Sequence, residues 1–139
     1  MNLKLLAAYL ILFSTNVFAE VRNINNQEIV SLMKNGVPII DIRRADEWRD
    51  TGVINQSNLL TFFDKKGNHN AEEWLLKLKK VAKEGDPVII ICRSGKRSGI
   101  VSKFLDEQAN FTNVYNAAGG ILSWVNVNKK IISYKDYLR

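Results

Sequence analysis

The single cysteine of this chain stands where nucleophilic chemistry is possible. Cys92 directly follows an apolar run, residues 87–91, and directly precedes the segment Arg93-Ser94-Gly95-Lys96-Arg97-Ser98. Because the thiolate is the nucleophilic form of cysteine, reactivity at Cys92 requires surroundings that favour negative charge. The three cationic side chains of the segment, its amide groups and the start of a following helix would all provide them. We therefore expect the functional site at residues 92–98.

Apolar strands alternate with helices along the chain, and this alternation predicts how the cysteine is positioned. Strands are predicted at residues 20–25, 37–42, 58–62, 88–91 and 112–115. Helices are predicted at residues 26–36, 45–50, 71–83, 99–109 and 121–125. In the fourth helix, the side chains expected to face inward are Ile100, Val101, Phe104 and Leu105. The pattern indicates an α/β fold with a mainly parallel central sheet and helices on both faces. Ligands of such sheets bind beyond the carboxyl ends of the strands, where Cys92 is expected.

Composition and charge limit the possible functions. The chain has 139 residues, of which 46% are hydrophobic and 24% charged, as in an ordinary globular domain. Its formal net charge of +6 favours small anionic ligands or an anionic surface. No basic stripe interleaved with aromatic residues is present, so we expect no nucleic-acid partner. One cysteine cannot form an intramolecular disulfide, which leaves Cys92 as an inert core residue or a thiol kept for chemistry.

The first nineteen residues have the order of regions typical of a secretory signal peptide. Lys4 supplies a positive charge, residues 5–13 are almost entirely apolar, and the small residues Val17 and Ala19 precede Glu20. We expect cleavage before Glu20, a single mature domain over residues 20–139, and a periplasmic or secreted protein without stable membrane association. An uncleaved membrane anchor is the alternative, but the apolar run is shorter than the roughly 20 residues that span a bilayer.

Three sequence motifs together resemble the rhodanese-like domain, and specifically a single-domain, exported thiosulfate sulfurtransferase. Residues 92–97 resemble the active loop of that family, with glycine third among the four residues between cysteine and arginine. Residues 41–43, followed by Glu47-Trp48 and residues 52–54, resemble its upstream motif. Residues 113–121 and Trp124 resemble its downstream motif. The chain departs from the family at Val53, where histidine is usual, and at Gln56 and Ser57, where small residues are usual.

The resemblance implies a reaction at Cys92. The thiolate would attack the outer sulfur of thiosulfate, release sulfite and hold a persulfide that cyanide or a thiol then accepts. Nothing in the sequence resembles a metal-ligand cluster or a nucleotide-binding loop, so we expect neither a metal nor a cofactor. A monomer or a homodimer is expected.

The resemblance implies roles in this reaction for residues of the loop and for two residues outside it. Arg97 presents a planar fork that suits the oxyanion of departing sulfite, and Gly95 lets the loop amides turn toward the sulfur. The expected substrate-binding residues are Arg93, Ser94, Gly95, Lys96, Arg97 and Ser98. Arg93 and Lys96 have an alternative role as solvent-facing loop charges. Asp41 and Arg43 are expected to support the site, with Asp41 holding Arg43 or the loop backbone.

Two other functions remain open at this stage. Phosphatases and arsenate reductases bind tetrahedral oxyanions in related loops, but these place five residues between cysteine and arginine, where this chain has four. Rhodanese-like domains also serve as non-catalytic binding modules, usually after loss of the cysteine, which this chain retains.

Overall fold

A computed structural model of the protein describes residues 20–139. The predicted signal peptide, residues 1–19, lies outside the described residues. Within residues 20–139, no helix combines the length and the apolar character needed to cross a membrane.

The centre of the fold is a five-stranded sheet in which every neighbouring pair of strands is parallel. Its strands are β1 (Arg22–Ile24), β2 (Ile39–Asp41), β3 (Asn58–Leu59), β4 (Val88–Ile91) and β5 (Val114–Ala117). Their order across the sheet is β1-β5-β4-β2-β3, which places β4 in the middle. All four residues of β4 are buried, as expected for a parallel strand covered on both faces.

Helices cover both faces of this sheet, which confirms the predicted α/β architecture. They are α1 (Asn26–Lys34), α2 (Ala45–Thr51), α3 (Ala71–Leu78), α4 (Lys96–Gln108), α5 (Gly120–Asn126) and α6 (Tyr134–Tyr137). Successive side chains along β4 enter two separate apolar clusters, because side chains alternate across a strand. Ile90 and Cys92 pack in one cluster with α3 and α4, whereas Ile89 and Ile91 pack in the other with α1 and α5.

The fourth helix differs from the sequence prediction in its start and in its buried face. It begins at Lys96, three residues before the predicted start at Gly99. Ile100 was expected to face inward, but its side chain is 55% exposed. The buried stripe of α4 consists of Ser98, Val101, Ser102 and Leu105. The spacing of apolar residues did not predict fully which side of α4 is buried, because two of the four buried residues are serines.

A buried ion pair anchors the chain where β2 ends. Nη2 of Arg43 lies 2.7 Å from Oδ2 of Asp41, and each side chain is only 1% exposed. Arg43 also donates hydrogen bonds to Oγ1 of Thr51, at 2.6 Å, and to the carbonyl of Gly52, at 2.9 Å. Asp41 therefore holds Arg43, and Arg43 in turn holds the end of α2 against the sheet.

Removing the charge of Asp41 should strongly destabilise the fold. In Asp41→Asn the Arg43 guanidinium remains buried without a counter-charge, a situation that costs about 3–5 kcal/mol. Urea unfolding followed by tryptophan fluorescence measures the loss. Asp46→Asn removes the same charge from an exposed pair and should leave the unfolding midpoint almost unchanged. Equal midpoints for the two variants would contradict a structural role for the buried pair.

The buried face of α4 predicts a large loss of stability for one substitution and almost none for the substitution next to it. Val101→Ala should lower the free energy of unfolding by about 2 kcal/mol, because it leaves a cavity in the core. Ile100→Ala should change it by less than about 0.5 kcal/mol, because this side chain is more than half exposed and its loss leaves no core cavity. Denaturant titration of both variants checks the assignment, and a larger loss for Ile100→Ala would contradict it.

Candidate active site

The sulfur of Cys92 lies at the centre of a ring of hydrogen-bond donors. Cys92 follows the last residue of β4, and the chain turns through Gly95 into α4. The sulfur accepts hydrogen bonds from the amide of Gly95, at 3.2 Å, and from the amide of Ser98, at 3.3 Å. The hydroxyl of Ser98 is also 3.2 Å from the sulfur. Backbone amides that converge on one point form an anion-binding concavity, so this loop can hold a negatively charged sulfur.

Glycine is required at position 95 for two separate reasons. Its φ of +93° lies in the left-handed region that residues with a side chain rarely adopt. A Cβ atom there would also overlap the carbonyl oxygen of Ala118, in the segment that follows β5. Only glycine therefore allows the loop to close around the sulfur at this position.

The start of α5 supports the same loop from outside. The amide of Ile121 donates a hydrogen bond to the carbonyl of Cys92, at 2.9 Å, and the amide of Leu122 to that of Arg93, at 3.1 Å. A Cβ atom on Gly120 would overlap the carbonyl of Arg93. In the sequence, Gly119 and Gly120 belong to the segment that resembles the downstream motif, and no role in the site was predicted for them. The available signal was that two glycines follow the strand next to β4 at the same edge of the sheet.

Arg97 forms a two-point ion pair with a residue of α2. Its Nη1 lies 2.9 Å from Oε2 of Glu47, and its Nη2 lies 2.6 Å from Oε1. Burial alone would raise the pKa of Glu47, but hydrogen bonds from Arg97 and from the amide of Arg44 outweigh it and lower the pKa from 4.5 to about 2. The same hydrogen bond to Glu47 raises the pKa of Arg97 above its usual range.

The predicted site residues divide into three groups in the structure. Cys92, Gly95 and Ser98 come together around the sulfur, and all three are buried. Arg93, Ser94 and Lys96 are exposed on the outside of the loop. Asp41 and Arg43 form the buried ion pair beneath the end of β2, and Asp41 holds Arg43, not the loop backbone.

Arg97 has a partner that the sequence did not indicate, Glu47. Substrate binding by Arg97 stays a prediction from the sequence. The fork of Arg97 was expected to face the substrate, but both of its terminal nitrogens face Glu47. Glu47 belongs to the segment that resembles the upstream motif, yet no role was predicted for it from the sequence. A carboxylate and an arginine fifty positions apart carry no local signal of contact. Only the fold brings α2 beside the start of α4.

Metal-ligating side chains do not cluster in the part of the chain that the structure describes. No three histidine, cysteine, aspartate or glutamate side chains among residues 20–139 lie close enough together to hold an ion. That the protein works without a metal or a cofactor stays a prediction from the sequence.

Comparisons with known proteins place this chain in a family. The chain is 26% identical over 139 residues to rhodanese-like domain-containing protein 17 of Arabidopsis thaliana, covering 90% of this chain and 88% of that protein. It is 26% identical over 112 residues to thiosulfate sulfurtransferase 18 of the same plant, covering 77% of this chain and 80% of that protein. A crystal structure of a rhodanese-like domain protein from Staphylococcus aureus has the same fold, with a TM-score of 0.58 at 22% identity, over 81% of this chain and 100% of that one. Residues 25–127 match the model of the family described as the rhodanese-like domain, and the chain belongs to that family.

Proposed function

We propose that the protein is a sulfurtransferase that takes the sulfane sulfur of thiosulfate, or of a similar donor, and carries it as a persulfide on Cys92. The acceptor is a thiol or cyanide. The observation that supports this most strongly is the convergence of the Gly95 amide, the Ser98 amide and the Ser98 hydroxyl on one sulfur atom. Such a ring stabilises negative charge on a single atom at the end of the cysteine side chain.

In the first step, the thiolate of Cys92 attacks the outer sulfur of thiosulfate. A bond forms between the two sulfur atoms, the bond within thiosulfate breaks, and its electron pair leaves with sulfite. Cys92 then carries a persulfide anion whose terminal sulfur can accept the same type of donors from the loop. The total charge of three negative units is unchanged, so the step needs no proton, oxidant or reductant.

In the second step, an acceptor thiolate or cyanide attacks the terminal sulfur of the persulfide. The bond between that sulfur and Cys92 breaks, and its electron pair returns to Cys92 as the thiolate. The same ring of donors stabilises the departing thiolate, because the charge develops on the atom that they already contact.

Positive charge beside the loop would attract an anionic donor. Arg93 and Lys96 are both exposed within the segment that follows Cys92. Among the described residues, neither forms an ion pair, so both are available to a dianion. Attraction of this kind increases the local concentration of donor and counteracts its repulsion by the thiolate.

Treatment with thiosulfate should add one sulfur atom to the protein, and cyanide should remove it. Intact-mass spectrometry measures the gain, and Cys92→Ser should show none, since serine cannot form the persulfide. Thiosulfate:cyanide transfer should also be lost in that variant. Unchanged mass of the wild-type protein, or near wild-type transfer by Cys92→Ser, would contradict the proposal. Strong hydrolysis of an aryl phosphate that depends on Cys92, without sulfur transfer, would favour the phosphatase alternative.

We further propose that residues 1–19 direct export and are then removed, so that the mature protein is periplasmic or secreted. The motif order in the sequence supports this proposal. Expression of the full chain in a bacterial host should give a protein whose amino terminus is Glu20, found in the periplasmic fraction or the medium. Replacing Leu6 by Arg should interrupt the apolar run and retain the precursor in the cytoplasm. A mature protein that begins at Met1 would contradict cleavage.

A further inference from the structure

Glu47 occupies the position on Arg97 that an oxyanion would take. Its two carboxylate oxygens meet the two terminal nitrogens of Arg97, at 2.9 Å and 2.6 Å. The oxygens of a sulfonate or of sulfite present the same kind of paired acceptor to a guanidinium fork. The Glu47 carboxylate is thus a chemical equivalent of the donor's oxyanionic end, supplied by the protein itself.

Arg97 is well placed to change partners. It directly precedes Ser98, whose amide contacts the sulfur of Cys92, so its backbone belongs to the ring around the site. Its side chain is 24% exposed and that of Glu47 is 14% exposed, which leaves the pair within reach of a ligand from solvent. An oxyanion that reaches Arg97 therefore meets a cation that is already paired with Glu47.

Glu47 would keep partners at one of its two carboxylate oxygens after Arg97 leaves. Its Oε2 accepts a hydrogen bond from the amide of Arg44, at 3.1 Å, and lies 3.5 Å from Nη1 of the same residue. Breaking an ion pair is costly mainly when it leaves a buried charge without any partner. The exchange avoids this cost in part, because the Glu47 carboxylate keeps its contacts with Arg44. Protonation does not release Arg97 either, because the pKa of Glu47 is about 2 and the carboxylate is charged across the neutral range.

We infer that Glu47 is a specificity-determining residue that competes with oxyanionic donors for Arg97. In the resting site, Arg93 and Lys96 attract the donor, and Arg97 joins them only when it leaves Glu47. The competition weakens binding of donors such as thiosulfate, which place an oxyanion beside the sulfane sulfur. Donors that need no contact with Arg97 are unaffected. This inference rests on the proposed function, because it concerns the donor of the same site.

Direct binding to an inactive protein tests the competition without relying on turnover. Thiosulfate is titrated by calorimetry into Cys92→Ser, in which no sulfur can be transferred. Adding Glu47→Gln to this background should lower the dissociation constant about tenfold, the scale of one additional charge-assisted hydrogen bond. Adding Arg97→Ala as well should abolish this decrease in the dissociation constant, because the guanidinium that would bind thiosulfate is then absent.

A matched control separates competition from a general change in charge. Asp46→Asn, in the same background, removes one negative charge from the adjacent position of α2, where the carboxylate contacts Arg44 and Lys65 and makes no contact with Arg97. Its dissociation constant for thiosulfate should stay within about twofold of the parent. Equal tightening by Asp46→Asn and Glu47→Gln would overturn the inference, as would binding that Glu47→Gln leaves unchanged or weakens.

Two further measurements keep the outcomes distinct. Glu47→Asp retains the charge on a shorter side chain that cannot meet both nitrogens equally, so it should give a smaller tightening and is informative if Glu47→Gln folds poorly. Persulfide formation is measured on the protein with Cys92 intact. Tighter thiosulfate binding without any persulfide would refute sulfur transfer while supporting competition at an oxyanion site. Normal persulfide formation with unchanged binding would refute competition alone.

Discussion

The site depends on one constraint, which is that backbone amides must point at a single sulfur atom. Amides of a loop normally point in different directions, and they converge here because Gly95 adopts a left-handed conformation just before α4 begins. The segment after β5 packs directly against the loop at Gly95 and supports this conformation. Cys92 directly follows the central strand and packs in the apolar cluster shared with α3 and α4, while its sulfur contacts the loop donors. The sheet, the glycines and α5 therefore all help to fix the position of the Cys92 sulfur.

Two ion pairs of different character connect α2 to the sheet and to the loop. The pair of Asp41 and Arg43 is fully buried, and the guanidinium of Arg43 also donates hydrogen bonds to Thr51 and Gly52. Its role is therefore structural. The pair of Glu47 and Arg97 is partly exposed and lies next to the ring around the sulfur. Both pairs involve the segment from the end of β2 through α2, which explains why the upstream motif matters although it contains no nucleophile. The buried pair holds α2 in place, and α2 then carries Glu47 to Arg97.

Periodicity and motif order predicted the sheet, the helices on both faces and the position of Cys92 at the carboxyl end of β4. Those predictions succeeded because an apolar strand such as residues 88–91 can be satisfied only in a buried position. The buried face of α4 was predicted less well, because Ser98 and Ser102 face inward and an apolar count ignores them. The contact between Arg97 and Glu47 had no signal in the sequence, since it joins elements that only the fold brings together. The support from Gly120 was missed although the sequence held a signal for it, the two glycines that follow the strand next to β4.

A crystal structure of the protein after treatment with thiosulfate tests the chemistry at Cys92 most directly. The proposed reaction predicts a second sulfur atom bonded to Sγ of Cys92, with its terminal position facing the exposed side of the loop and the amides of Gly95 and Ser98 still directed at the sulfur pair. An unmodified Cys92 with an intact oxyanion held elsewhere, or a loop whose amides turn away from the sulfur, would contradict it.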